Sequence, residues 1–284
     1  MILQADPKAG YLAHKAEIDA AIAKALASGW YILGEEVKGF EAEFARFVGV
    51  GHGIGVANGT DALEIALRAL GLGPGDKVAT VSHTAVATVA AIELVGAEPV
   101  LLDVDPERYT MGAEELAEVL KRDPIKAVIP VHLYGQPAAI DRIVQLCDAA
   151  KVPVIEDCSQ AHGAMLGNRQ VGAFGRVACY SLYPTKNLGA FGDGGIVVTD
   201  DAALAQRLRE LREYGWRDRY ISAIAGMNTR LDELHAAMLR VKLRHLPADN
   251  ERRRAVAAIY DAEDRKSTRL NSSHVSESRM PSSA

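Results

Sequence analysis

The sequence predicts an α/β protein in which a mostly parallel, seven-stranded sheet lies between layers of helices. From Gly53 to Thr199, short β-rich runs alternate with segments whose apolar residues recur at three- and four-residue spacing. This alternation is typical of strands joined by crossover helices. The chain has 284 residues, of which 49% are hydrophobic, so it can bury a full core in one large domain and part of a second.

The seven predicted strands are 53–57, 77–81, 98–104, 127–131, 153–157, 177–182 and 194–199. The helical patterns between the first five strands cover 61–70, 84–95, 113–121 and 138–150. Two further helices are expected at 201–214 and 231–246, and the second should end at Pro247. The glycine-rich segment 183–195 shows neither period, and we expect it to be a loop that wraps around another group.

The chain is expected to have three parts. Residues 1–245 would form the large domain, including a helix at the amino terminus. Residues 246–263 would begin a small carboxyl-terminal domain that is largely missing. Residues 264–284 begin with DRKSTRLNSSH, which matches one reading frame of a widely used sequencing adapter, so we expect this part to be disordered and to lie outside the fold. A genuine disordered tail rich in serine and arginine is the alternative.

Charge and composition exclude several classes of protein. The net charge of −5 argues against a surface for nucleic acid or anionic membranes. No apolar run approaches the roughly 20 residues of a membrane span, and the first residues carry no export signal. Cys147, Cys158 and Cys179 are too widely spaced for a CxxC pair and indicate buried free thiols. We therefore expect a soluble, cytoplasmic protein without a metal site.

The first candidate site is NGTDAL at 58–63, where a predicted strand gives way to a helix. Gly59 permits close approach of the backbone, and Thr60 stands where the helix begins. The N–H groups at a helix start, together with the Thr60 hydroxyl, could hold a phosphate. Taken alone, this motif favours the simpler interpretation that Thr60 is only an N-cap, which is a common role for threonine.

The second candidate is Asp157, which closes a predicted buried strand. Ligands bind at the carboxyl ends of strands in open α/β sheets. A buried carboxylate needs a cationic partner, and a protonated pyridine nitrogen would serve as one; a structural ion pair or cap is the alternative. Gln160 follows on the turn and could reach an oxygen of the same ring, whereas Glu156 should point to the opposite face of the sheet.

The third candidate is Lys186, which lies in the glycine-rich loop shortly after Ser181 ends a strand. A loop lysine is usually just solvated. Here the neighbouring small residues would let the loop fold over a flat ring, and a desolvated lysine becomes a usable nucleophile toward an aldehyde. Farther along, Asn228 lies at the mouth of an amphipathic helix, and spacing alone gives it no ligand.

Four stretches together resemble the DegT/StrS family of sugar aminotransferases, which depend on pyridoxal 5′-phosphate (PLP): NGTDAL, PVIEDCSQAHGA, CYSLYPTKNLGAFGDGG and GMNTRLDELHAAM. The resemblance runs in order along nearly all of 18–260 and is therefore far more specific than any single motif. It implies PLP fold type I, the fold of aspartate aminotransferase. It also implies that Lys186 forms the Schiff base with PLP, that Asp157 pairs with the pyridine nitrogen, and that Gln160 contacts the ring hydroxyl.

The same resemblance implies how the cofactor phosphate is held. Gly59, Thr60 and Ser181 would bind it from within one chain, and Asn228 would reach it from the neighbouring subunit, so the active site would need a homodimer. In one respect the sequence departs from the family, because many members place an aromatic residue that stacks on the ring where this chain has Ala85. His83 is a possible substitute, and the stacking partner is left open.

The activity that the resemblance implies is transfer of an amino group from an amino acid, glutamate being the expected donor, to a nucleotide-linked keto sugar. Such amino sugars enter surface polysaccharides or secondary metabolites. One alternative is a PLP-dependent sugar dehydratase, which carries histidine where this chain has Lys186. Another is a truncated or regulatory relative that keeps the fold without turnover. A nicotinamide dehydrogenase is disfavoured, because GHGIG at 51–55 is not GxGxxG and begins a strand rather than following one.

Overall fold

The computed structural model describes residues 5–270. Contacts divide the chain into two compact units, Met1–Arg244 and His245–Ala284. The helices are α1 Pro7–Ala13, α2 Lys15–Ser28, α3 Glu35–Val48, α4 Gly59–Ala69, α5 Val86–Leu94, α6 Ala113–Arg122, α7 Ile140–Ala150, α8 Ala202–Arg212 and α9 Glu233–Leu270. The strands are β1 His52–Val56, β2 Lys77–Val81, β3 Glu98–Leu102, β4 Ile125–Ile129, β5 Ile155–Asp157, β6 Met165–Leu166, β7 Arg169–Gln170, β8 Val177–Ser181, β9 Gly195–Thr199, β10 Trp216–Asp218 and β11 Ile221–Ser222.

The main sheet of the first unit contains all seven predicted strands. Its two parts have the orders β3-β2-β4 and β1-β9-β8-β5. Parallel bridges from Val128 to Val154 and from Val131 to Asp157 join β4 to the chain at β5. The full order is therefore β3-β2-β4-β5-β8-β9-β1, and β9 is antiparallel to both of its neighbours. The α/β fold with a mostly parallel sheet is thus confirmed.

Helices cover both faces of this sheet, as parallel sheets require. One cluster of buried aliphatic side chains packs α4, α5 and α8 against one face. A second cluster packs α6 and α7 against the other. The strands are consequently apolar on both sides, which is why they appear in the sequence as short continuous runs of valine, isoleucine and alanine.

Several local features differ from the sequence-based expectations. The short hairpins β6–β7 and β10–β11 were not predicted, because strands of two or three residues have no measurable period. Helix α9 does not end at Pro247 but continues to Leu270. A proline removes one helical hydrogen bond and costs about 3 kcal/mol, and the leucines, alanines and arginines on both sides are strong helix formers.

Helix α9 also enters the carboxyl-terminal segment for which we expected disorder, because the backbone of 264–270 is helical. Extending an existing helix adds one hydrogen bond for each residue fixed, so a helix can continue into a segment that would not form one alone. The rest of that segment, 271–284, lies outside the described residues, as do residues 1–4. That 246–263 begins a small domain stays a prediction.

Two expectations drawn from composition can be compared with the structure. All three cysteines are free and buried, and burial raises the pKa of the Cys147 thiol to about 12. They are therefore unreactive packing residues at neutral pH. Within 5–270, none of the helices combines the length and the apolar character that crossing a bilayer demands.

Candidate active site

A cavity of about 410 Å³ opens at the carboxyl ends of β5 and β8. Six of the seven residues singled out in the sequence line it, although they come from three distant parts of the chain. These are Gly59, Thr60, Asp157, Gln160, Ser181 and Lys186. The sheet order explains why these three parts of the chain lie close together, since β5 and β8 are neighbours and α4 packs across them.

The amino terminus of α4 forms one wall of the cavity. Asn58, not Thr60, is the N-cap, and its side-chain oxygen accepts a hydrogen bond from the Asp61 N–H at 2.8 Å. The interpretation of Thr60 as the N-cap is therefore wrong. The N–H groups of Gly59 and Thr60 precede the first helical hydrogen bond, from Ala62 N to Asn58 O, so they have no partner within the helix. Together with the positive end of the helix dipole, they suit an anion.

Glycine at position 59 is a steric requirement of this wall. A Cβ added there would lie 2.6 Å from Ser181 Cβ and 3.0 Å from Ser181 Oγ. Any larger residue would push the start of α4 away from the end of β8. Gly59 thus keeps the helix N–H groups and the Ser181 hydroxyl on one small patch of the cavity wall.

Asp157 is the buried carboxylate of the cavity, with 3% of its surface exposed. Its Oδ2 accepts a hydrogen bond from Thr88 Oγ1 at 2.9 Å, and its Oδ1 accepts one from the Ser159 N–H at 3.1 Å. Both donors are neutral. Neither donor carries a charge that would offset that of the carboxylate, whose negative charge acts on the amine of Lys186 in the same cavity.

Glu156 lies on the opposite face of β5, as alternation along a strand predicts. Its Oε2 is 3.0 Å from His132 Nε2 and 2.8 Å from the Gly172 N–H, and its Oε1 accepts the N–H groups of Phe174 and Gly175. Burial alone would raise its pKa, but these hydrogen bonds hold the pKa of Glu156 below its ordinary value. The residue is satisfied by protein and is structural.

Lys186 lies in the loop between β8 and β9, where its backbone N–H donates to Tyr183 O at 2.8 Å. The side chain is half-buried, so it is not a fully solvated loop lysine. Burial lowers the pKa of the Lys186 amine from 10.5, although the negative charge of Asp157 opposes the shift. The amine is consequently easier to deprotonate than a solvated one, as a nucleophile requires.

Gln160 lines the cavity beside a sharply turned segment. Its Oε1 accepts a hydrogen bond from the Tyr134 N–H at 2.8 Å, which leaves the side-chain NH₂ free to serve as a donor. Ala85 lines the cavity at the position where an aromatic residue is common in the family. His83 is exposed and packs edge-on against Tyr134 at 6.0 Å, so its role as a ring-stacking substitute gains no support.

Asn228 is the one predicted site residue that does not line this cavity. It is exposed and forms a β-bridge with Glu213. Its position is compatible with the expectation that it acts on a neighbouring subunit, and that role stays a prediction.

The cavity lining also includes polar residues that were not singled out from the sequence, among them Thr84, Thr88, Ser159, Tyr183 and Asp193. Thr84 precedes α5 and Thr88 lies in its first turn, so no helical spacing in the sequence pairs the two residues. Their hydroxyl oxygens are 2.9 Å apart. Ser159 contributes a backbone group to Asp157, which residue type does not reveal.

The sheet order β3-β2-β4-β5-β8-β9-β1, with a lysine and a buried carboxylate on one cavity at its carboxyl edge, is that of a fold type I aminotransferase. Solved structures agree. A crystal structure of DesV from S. venezuelae, in complex with a ketimine intermediate, matches with a TM-score of 0.87 and 49% sequence identity, covering 90% of this chain and 68% of that one.

The chain belongs to the DegT/DnrJ/EryC1/StrS aminotransferase family, whose model matches residues 13–281. It is 49% identical over 255 residues to dTDP-3-amino-3,4,6-trideoxy-alpha-D-glucose transaminase from Streptomyces venezuelae, covering 90% of this chain and 67% of the relative. It is 46% identical over 255 residues to UDP-N-acetyl-3-dehydro-alpha-D-glucosamine 3-aminotransferase from Acidithiobacillus ferrooxidans, covering 90% of this chain and 69% of the relative.

Proposed function

We propose that this chain is a PLP-dependent aminotransferase that moves an amino group from an amino acid, with glutamate as the expected donor, to a nucleotide-linked keto sugar. The observation that carries the proposal is that Lys186 and the buried Asp157 line the same cavity as the amino terminus of α4. An amine, an acid and an anion site are the three groups needed to hold an aldehyde, a ring nitrogen and a phosphate.

The residues of the cavity fit PLP. Among the described residues, the carboxylate of Asp157 accepts hydrogen bonds from two neutral donors, Thr88 Oγ1 and Ser159 N–H, so a protonated ring nitrogen would be a favourable charged partner for it. The N–H groups of Gly59 and Thr60 would hold the phosphate. Two more of the seven proposed cofactor residues belong to the same chain. Ser181 would contact the phosphate, and Gln160 would contact the ring hydroxyl.

When bound, PLP supplies an aldehyde that combines with an amine and a ring that draws electrons from the adjoining carbon. Lys186 would hold that aldehyde covalently until the amino donor displaces it. The freed amine would then carry a proton between the donor carbon and C4′ of the cofactor, for which its lowered pKa suits it. Asp157 would keep the ring nitrogen protonated throughout.

The relatives support the sugar substrate. The names of the two relatives given above each include a nucleoside diphosphate, dTDP in one and UDP in the other. Both names also place the amino group or its transfer at carbon 3 of the sugar. A keto group at carbon 3 of a pyrimidine nucleotide sugar is therefore the first substrate to test. The product would feed biosynthesis of a polysaccharide or a secondary metabolite, and three unpaired cysteines suit a cytoplasmic step.

The decisive variant is Lys186→Ala, with the exposed Lys126→Ala as its matched control. We expect Lys186→Ala to lose both the visible absorbance of the bound cofactor and all amino transfer to the keto sugar, whereas Lys126→Ala keeps both. Amino transfer that survives in Lys186→Ala would refute the mechanism. Wild-type protein that binds PLP but aminates no keto sugar nucleotide would instead favour the non-catalytic relative, and loss of a sugar hydroxyl would favour the dehydratase.

We also propose that the active enzyme is a homodimer in which Asn228 completes the partner's phosphate site. The exposed position of Asn228, away from its own cavity, supports this arrangement. Mixing inactive Lys186→Ala with inactive Asn228→Ala would then regenerate one intact site in each mixed dimer, or roughly one quarter of wild-type activity for random pairing. If the site lies within one chain, the mixture stays inactive.

A further inference from the structure

Asn187, the residue directly after Lys186, is joined to His162 by two hydrogen bonds. Its Nδ2 donates to the backbone carbonyl of His162 at 2.9 Å, and its Oδ1 lies 3.0 Å from His162 Nδ1. His162 belongs to the segment that follows Asp157 and Gln160. The pair therefore connects the loop that carries the lysine to the segment that carries the carboxylate.

The chemistry of the two side chains fixes the direction of both bonds. A backbone carbonyl only accepts, so the amide nitrogen of Asn187 must face it and the amide oxygen must face the ring. That oxygen also only accepts, so His162 Nδ1 must carry a proton and donate. Neither bond can reverse without breaking the other, and two such bonds restrict Asn187 to one rotamer.

His162 is itself held firmly. Only 1% of its surface is exposed. Its ring packs against the buried rings of Tyr180 and Phe44, with centroids 5.2 Å and 6.4 Å away. Tyr180 is in β8, and its hydroxyl donates to Val171 O at 2.8 Å. The anchor to which Asn187 is tied is therefore part of the core.

We propose that Asn187 and His162 form a positioning pair that sets the amine of Lys186 against Asp157 inside the cavity. The proposal rests on the proposed function, since it gives these residues their importance. Neither residue of the pair touches the reacting atoms. Their effect comes through the loop backbone, because fixing Asn187 fixes the Cα of the lysine next to it.

The test compares Asn187→Ala with Gln170→Ala as a matched control. Gln170 also uses a side-chain amide to donate to a backbone carbonyl, Phe47 O at 2.7 Å, but it does not line the cavity. Protein without PLP is acetylated over a range of pH, and modification of Lys186 is followed by peptide mass spectrometry. In wild type and in Gln170→Ala, the acetylation profile should give a pKa of Lys186 below 10.5. In Asn187→Ala this pKa should shift toward 10.5, because the amine leaves its half-buried site.

A second measurement uses PLP followed by borohydride, which fixes the cofactor on the lysine. Capture by Lys186 should slow about ten- to a hundredfold in Asn187→Ala, as expected for a misplaced reacting group, and remain unchanged in Gln170→Ala. His162→Leu removes the ring donor and should follow Asn187→Ala. His162→Asn restores a donor near the position of Nδ1 and should recover most of the lost rate of PLP capture. The two His162 variants also test the proposal if Asn187→Ala does not fold.

The proposal is overturned if Asn187→Ala and His162→Leu titrate and capture PLP like wild type, or if His162→Asn is as impaired as His162→Leu. Failure of the proposed function gives a different result. In that case wild-type Lys186 does not capture PLP at all, while the acetylation profiles, which need no cofactor, still report on the positioning pair.

Discussion

Replacing Thr88 with valine tests whether the charge of Asp157 is stabilised by the hydroxyl beneath it. Thr88 is fully buried, and its Oγ1 lies 2.9 Å from Asp157 Oδ2. An ionised carboxylate only accepts, so Thr88 donates to it, and Thr84 must in turn donate to Thr88. Valine keeps the shape of threonine and removes only this link between Thr84 and Asp157.

The expected cost follows from the charge on the acceptor. Hydrogen bonds to charged groups contribute about 1.5–3 kcal/mol, against about 0.5–1.5 kcal/mol for neutral pairs. Thr80 provides the neutral comparison, because it is equally buried and donates to the Ile129 carbonyl, also at 2.9 Å. Thr88→Val should therefore lower the free energy of unfolding by about 1 kcal/mol more than Thr80→Val does.

Urea unfolding at neutral pH, without PLP, measures both variants on the same scale. Comparable m-values would show that the difference lies in the folded state and not in the compactness of the unfolded one. The reasoning fails if Thr88→Val lowers the free energy of unfolding no more than Thr80→Val does, because the Thr88 hydroxyl would then not stabilise the charge of Asp157.

Three further predictions concern the cavity wall, the amine and the carboxylate. Gly59→Ala should weaken PLP binding, because its Cβ would lie 2.6 Å from Ser181 Cβ; equilibrium titration measures the loss, and binding as tight as that of wild type would show that the cavity wall tolerates a Cβ at this position. Lys186→Met should be more stable than wild type at neutral pH, because burial lowers the pKa of Lys186 from 10.5 and folding then disfavours its charged form. In denaturation at several pH values, wild type should gain stability as the pH rises from the lowered pKa toward 10.5, closing the gap, and a constant gap would contradict this. Asp157→Asn should keep PLP attached to Lys186 and reduce turnover about 10²–10³-fold. Unchanged turnover in a steady-state assay would show that the negative charge of Asp157 is not needed for catalysis.

The strands of the main sheet were predictable because burial on both faces leaves a strong local signal. The strand predicted at 77–81 coincides with β2, and the strand at 177–182 differs from β8 by one residue. The antiparallel direction of β9 was not predicted. It follows from its connection, since the loop from β8 to β9 contains no helix and a parallel neighbour would need a crossover.

The site was predictable where a residue ends a strand or starts a helix, and not where a contact depends on packing. Gly59, Asp157 and Ser181 all occupy such positions, and the resemblance to a family gave them roles. The bond from Thr88 to Asp157 spans 69 positions in the chain, and no local pattern records which hydroxyl will lie under which carboxylate. The same holds for the link between Asn187 and His162.

Glu156 and Asp157 show why burial alone does not identify a functional acid. The two carboxylates are adjacent in β5, and 0% and 3% of their surfaces are exposed. Glu156 has an imidazole and three backbone N–H groups around it, so nothing further needs to bind it. Asp157 has two neutral donors and faces a cavity. Its neutral hydrogen-bond donors and its place on the cavity, and not its burial, are the reasons for proposing that it pairs with a cationic ring.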